Sequence, residues 1–196
     1  MRSFQDKVAV VTGAASGIGR ALAEEEQSLD DWRWIVGVNF WGVVHGCKFF
    51  LPHLRKNREA HIVNLSSMLG FIGMPTQSSY CATKFAVRGL SEALWAELYG
   101  SGIGVTSVHP GGVKTNIVRA SRTADPSAKQ QMAERIDRMA MAPEKVALKI
   151  LRAVERNDMR VVICAEAHIT EWVKRLAPVR VHPLVAYAYR RFGSLG

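Results

Sequence analysis

Lys7 to Thr12 form a short β-branched run, Lys-Val-Ala-Val-Val-Thr, that leads straight into Gly13-Ala-Ala-Ser16-Gly17-Ile18-Gly19 and then Arg-Ala-Leu-Ala. Strand, glycine turn and helix in that order open a parallel α/β unit, and they limit what the rest of the chain can fold around. Glycines at such a junction let the backbone approach a pyrophosphate, whose charge the free N–H groups at the helix start stabilise. The spacing is T-G-x-x-x-G-x-G rather than G-x-G-x-x-G, so the loop reads equally as an anion cradle or as a tight connection. Three more apolar runs, Ala60 to Leu65, Ile103 to His109 and Arg160 to Cys164, read as strands between helical stretches.

The stretch from Ser67 to Lys84 carries the chemistry. Tyr80 and Lys84 open the run Tyr80 to Leu98, whose apolar positions recur at helical spacing, so a phenol and an ammonium share one helix face. A positive charge beside a phenol favours the phenolate and moves it toward the neutral range, which makes Tyr80 a candidate general acid or base. Ser67 follows the strand Ala60 to Leu65, at the edge where open α/β sheets hold ligands, and there it could hold a substrate oxygen. Taken alone, a Tyr and a Lys four apart usually serve structure.

The remaining segments follow from local signals. Ser28-Leu-Asp-Asp31 caps a helix running roughly from Leu29 to Arg55, so rich in large apolar groups that burial against the sheet and against another subunit is expected. Asn39 lies in its middle, either as a satisfied packing residue or as a ligand. Pro110-Gly111-Gly112 fixes a turn after a strand and puts Thr115 at the same edge as Ser67. Residues 116–142 read as a polar, methionine-containing substrate loop or lid, and 167–196 as a C-terminal tail.

Composition narrows the class. A chain of 196 residues with 48% apolar content is expected to form one domain with a sizeable core. Cys47, Cys81 and Cys164 show no paired spacing, which points to reduced thiols and a cytoplasmic location. The six histidines lack metal-ligand spacing, so no catalytic metal is expected. No apolar run is expected to reach the length of a membrane span, and Met1 to Lys7 lacks the apolar core of a secretion signal. The formal charge is +9, with no acidic residue after Glu171. Without a nucleic-acid motif, that excess reads as a solvated face or a subunit contact, while the apolar, basic tail leaves peripheral membrane contact open.

Together the glycine loop at Thr12 to Gly19, Asn39, Ser67, Y-x-x-x-K at Tyr80 to Lys84, and Pro110-Gly111 followed by Thr115 resemble the short-chain dehydrogenase/reductase family, in the family's order. The resemblance implies a Rossmann-type doubly wound parallel sheet binding NAD or NADP, with Ser16 mildly favouring NAD. It implies Asn39, Ser67, Tyr80 and Lys84 as a catalytic tetrad, with Asn39 binding a water that relays protons from Lys84. Gly13, Ser16, Gly17, Ile18 and Gly19 would contact the cofactor, as would Pro110, Gly111, Val113 and Thr115 beside the nicotinamide. The substrate expected is a small-molecule alcohol or ketone, apolar or of medium size, and the assembly a homodimer or homotetramer.

One departure matters. Gly19 and Asn39 are so close that the family's strands 2 to 4 are missing, with the junction expected between Ala23 and Asp30. In the family order 3-2-1-4-5-6-7 this leaves a vacant strand position beside strand 1, a gap near ~9 to 10 Å that no monomeric sheet should tolerate. Two readings follow: an NAD(P)-dependent oxidoreductase whose internal segment is absent here, or a nucleotide-binding or structural relative inactivated by a true deletion.

Overall fold

A computed structural model describes residues 8–12, 28–114 and 140–193. Four parallel strands form one sheet in chain order: β1 (Val8–Thr12), β2 (Ala60–Leu65), β3 (Ile103–Pro110) and β4 (Arg160–Ile163). The helices are α1 (Leu29–Val36), α2 (Gly42–Leu54), α3 (Ser78–Glu97), α4 (Pro143–Glu155), α5 (Ala165–Leu176) and α6 (Val181–Ala188).

Side chains alternate across β2, β3 and β4, and the two faces carry separate apolar clusters. Ile62 and Val105 join Val43, Cys47, Leu54 and Val87, which packs α2 and α3 against one face. Val63, Val108 and Ile163 join Val146 and Val154, which packs α4 against the other. Each fully buried Val, Ile or Leu stabilises this arrangement by roughly 1.5–3 kcal/mol, so both layers are held by burial. The result is a doubly wound α/β sheet.

The expected vacant strand position is absent. β1 pairs directly with β2 through five residue pairs from Val8↔Ala60 to Thr12↔Asn64. Unpaired backbone inside a sheet costs more than shifting a strand sideways by one spacing, so the ladder closes. The junction between Ala23 and Asp30 lies, as far as residue 27, outside the described residues.

The apolar stretch after Ser28 behaves as its cap signal predicts. Ser28 Oγ accepts from the Asp31 N–H at 3.1 Å, and helix continues from Leu29 through a π turn, Gly37–Trp41, to Leu54. At 26 residues and a mean hydropathy of 1.2, this helix is long and apolar enough to cross a membrane, contrary to the expectation that no run reaches that length. Averaged hydropathy tolerates the polar interruptions that an uninterrupted-run criterion rejects. Its inner face nevertheless belongs to the core, because Ile35, Asn39, Val43, Cys47 and Leu54 are buried. Its outer face leaves Trp41, Phe49 and Phe50 exposed in the single chain, so the second apolar side is not covered by this fold.

Candidate active site

The carboxyl ends of β2 and β3 gather most of the described candidate residues. β2 stops at Leu65, and Ser67 in extended backbone caps a short 3-10 turn, Met68–Gly70, its Oγ accepting from the Leu69 N–H at 3.2 Å. Ser66 ties the turn to α3 by donating to the Lys84 carbonyl at 2.9 Å. Gly70 permits this approach: a Cβ there would meet Ser66 Oγ at 2.5 Å and the Lys84 carbonyl oxygen at 3.0 Å.

Tyr80 and Lys84 share the inward face of α3, one turn apart, and both are buried. Ile35 of α1 packs against Tyr80, with Trp34 and Leu69 beside them. Lys84 Nζ donates to the Leu65 carbonyl at 2.9 Å and lies 5.6 Å from the centre of the Tyr80 ring. Ser67 is buried beside them, and its hydroxyl favours the deprotonated form of the Tyr80 phenol.

The electrostatics differ from the expectation. Burial pushes the Tyr80 phenol up to about 12, and the Ser67 hydroxyl offsets only part of that rise. Lys84 does not bring the phenol down: burial lowers the ammonium itself to about 8, and its proton is directed to a carbonyl. Desolvation disfavours both charged forms, and here it outweighs their mutual attraction. Tyr80 is therefore a proton-bearing group at neutral pH.

Asn39 sits at the centre of the π turn, an irregularity that recurs at functional sites. Its amide N–H donates to Thr83 Oγ1 at 3.2 Å, and the Thr83 hydroxyl donates to the Tyr80 carbonyl at 2.7 Å. The amide is thus buried and tied to α3 through one of its N–H groups.

Pro110 and Gly111 end β3 at the same edge. Gly111 N–H donates to the Ile163 carbonyl at 2.9 Å, and Gly112 N–H to Glu166 Oε1 at 2.8 Å. Val113 is partly buried in the α4 cluster and forms a bridge to Met141. Val113 and Met141 flank residues 115–139, which lie outside the described residues. Thr115 is therefore not described, nor are Gly13, Ser16, Gly17, Ile18 and Gly19, although β1 delivers the chain at Thr12 to this same edge.

His109, Thr83 and Glu166 were not anticipated. His109 is fully buried, its Nδ1 2.9 Å from the Ser67 carbonyl oxygen and its Nε2 2.9 Å from Ser107 Oγ, and it stacks on Phe71 at 4.2 Å. A histidine within an apolar strand immediately before Pro110 was the available signal. A cavity of about 270 Å³ lined by Ala60, His61, Trp95, Tyr99 and Asn157 opens at the amino ends of β2 and β3. It lies at the opposite sheet edge, away from the carboxyl ends where α/β sheets bind ligands.

The residues present suit the nicotinamide riboside end of a dinucleotide. Lys84 has three N–H groups and, among the described residues, one acceptor, so a ribose hydroxyl can take another. Residues 23–126, which include Asn39, Ser67, Tyr80, Lys84 and the Pro110-Gly111 turn, match the family model for short chain dehydrogenases.

The chain belongs to the short-chain dehydrogenase family.

Among its relatives is a Mycobacterium tuberculosis protein provisionally named the oxidoreductase SadH, 41% identical over 172 residues that cover 86% of this chain and 62% of that protein. A 3-ketodihydrosphingosine reductase of Bacteroides thetaiotaomicron is 34% identical over 163 residues, covering 76% of this chain and 59% of that enzyme. A crystal structure of a short-chain dehydrogenase/reductase from Burkholderia phymatum in complex with NAD superposes with a TM-score of 0.71 at 29% identity, over 89% of this chain and 64% of that one. The chain thus spans about three fifths of these family members, in keeping with an absent internal segment.

Proposed function

We propose that this chain is an NAD(P)-dependent oxidoreductase that interconverts an alcohol and a ketone, with Tyr80 as the proton-transferring group. The observation that carries this reading is the co-burial of Ser67, Tyr80 and Lys84 at the carboxyl edge of the sheet, with Lys84 Nζ 5.6 Å from the centre of the Tyr80 ring.

When bound, the nicotinamide supplies or accepts the hydride. Ser67 donates a hydrogen bond to the substrate oxygen, and Tyr80 passes its proton to that oxygen as it becomes an alkoxide. Lys84 binds the ribose, and Asn39 holds the π turn to α3 through Thr83. The high proton affinity of Tyr80 suits the reductive direction at neutral pH, because a phenol about to protonate a carbonyl oxygen must first hold its proton. Ile35 and Leu69 around Tyr80, and a relative named for reducing a lipid ketone, favour an apolar ketone as substrate. Ser16 in the glycine loop and the NAD-bound relative favour NAD. The exposed aromatic face of α2 suits a homodimer or homotetramer.

Nicotinamide absorbance with a panel of apolar ketones tests this reading, comparing the natural chain with Tyr80→Phe. Turnover that depends on Tyr80 is expected. Cofactor binding without Tyr80-dependent turnover would replace it with the reading of an inactive nucleotide-binding relative.

A further inference from the structure

We infer that the C-terminal helices α5 and α6 form a docking surface for an anionic lipid bilayer. The case begins with an inverted helix. On α5, Ile169, Trp172, Val173 and Leu176 fall at i, i+3, i+4 and i+7, a single apolar stripe. In a helix packed on a core that stripe faces inward, whereas here all four side chains are exposed, Leu176 at 79% and Trp172 at 56%. The opposite side of α5 faces the body of the protein through Ala167, which is fully buried, and Glu171, which pairs with Arg160 of β4 at 2.9 Å. The helix is therefore fixed by its polar side with its apolar side outward.

The chain beyond α5 continues the pattern. Lys174 Nζ donates to the Pro178 carbonyl at 2.5 Å and lies 2.8 Å from His182 Nε2, tying the end of α5 to the start of α6. Val181 anchors α6 by its buried side chain, while Leu184 and Tyr187 stand exposed. Arg175 lies over the Trp172 ring at 5.6 Å, an apolar group beside a cation, as at a headgroup boundary.

Charge decides the occupant. No acidic residue follows Glu171, whereas Lys174, Arg175, Arg180, Arg190 and Arg191 are all basic. A second copy placed on this face by a two-fold axis would bring the same excess of positive charge against itself. A bilayer carrying anionic headgroups offers both an apolar layer for the stripe and negative charge for its basic surroundings. This surface is independent of hydride transfer and stands or falls separately from it.

The test is flotation of the full chain with vesicles of equal parts phosphatidylglycerol and phosphatidylcholine, against vesicles of phosphatidylcholine alone. Binding to the anionic vesicles is expected, weakening several-fold as salt rises. The double variant Trp172→Glu with Leu176→Glu should bind at least ~10-fold more weakly, as should Arg180→Glu with Arg190→Glu, with helical content unchanged by circular dichroism. Equal binding to both vesicle types, or none, overturns the inference. So does a natural chain whose dimer, seen by analytical ultracentrifugation, dissociates in the Trp172→Glu, Leu176→Glu variant, because the stripe would then be an interface between copies. Should a variant misfold, the lipid and salt dependence of the natural chain still decides.

Discussion

The His109 imidazole donates from Nδ1 to the Ser67 carbonyl oxygen at 2.9 Å, which fixes its tautomer. A carbonyl can only accept, so Nδ1 carries the proton and Nε2 accepts from the Ser107 hydroxyl. Ser67 is thereby held from β3 as well as from β2, and the neutral ring is required for both contacts.

Replacing His109 with Ala should cost roughly 3 kcal/mol of stability, because it strands the Ser107 hydroxyl and the Ser67 carbonyl and removes the Phe71 stack. Urea unfolding at unchanged slope would read this as a lower midpoint. A midpoint equal to that of the natural chain would mean that the network contributes nothing.

Tyr80→Phe should lower the ketone reduction rate by about 10²- to 10⁴-fold while leaving the fold in place, since the ring still fills its site beside Ile35. Because the phenol holds its proton to about 12, the reverse oxidation should speed up steadily as pH rises through the alkaline range. An oxidation rate that levels off near neutrality would contradict the burial argument.

Acid should destabilise the fold in a defined window. Burial lowers His61 and His109 from 6.5 to about 4, so between those values the unfolded chain binds protons that the folded chain refuses. Stability is complete above this window and is lost as pH falls through it, on the order of 3 kcal/mol per histidine. Lys84, lowered from 10.5 to about 8, has the same sign at higher pH, so its contribution improves as pH climbs between those values. Thermal melts across both windows check the two limbs, and His109→Gln should flatten the acid one.

Gly102→Ala should destabilise by roughly 2 kcal/mol. Gly102 has φ of 80°, and a Cβ there would stand 2.7 Å from the Arg58 carbonyl oxygen, a backbone atom that cannot swing aside. The site lies at the other end of the sheet, so kcat of the folded variant should be unchanged; a loss of kcat larger than the loss of folded protein would argue against that separation.

Much of this architecture could be read from local text. Ala60 to Leu65 is a β-branched apolar run and is the strand found; Ser28 caps where its spacing with Asp31 said it would; Pro143 opens α4. The Tyr80–Lys84 face follows from helical geometry alone. Their proton affinities do not, because they depend on how deeply Ile35 and Leu69 bury them, a tertiary quantity. His109 escaped for the same reason: an imidazole in an apolar strand gains its meaning from Ser67 and Phe71, which the fold brings to it. The pairing of β1 was missed because family order suggested a gap, while the hydrogen-bonding demand of an open edge closed it.

That closure makes two sheets mutually exclusive. A longer version of this chain that inserts a strand between β1 and β2 must first unzip the Val8–Thr12 ladder, since one edge of β2 cannot serve two neighbours. The short and long forms would then be rival pairings of a common half, and slow amide exchange at Ile62 to Asn64 would survive in both while the identity of their partner strand changed.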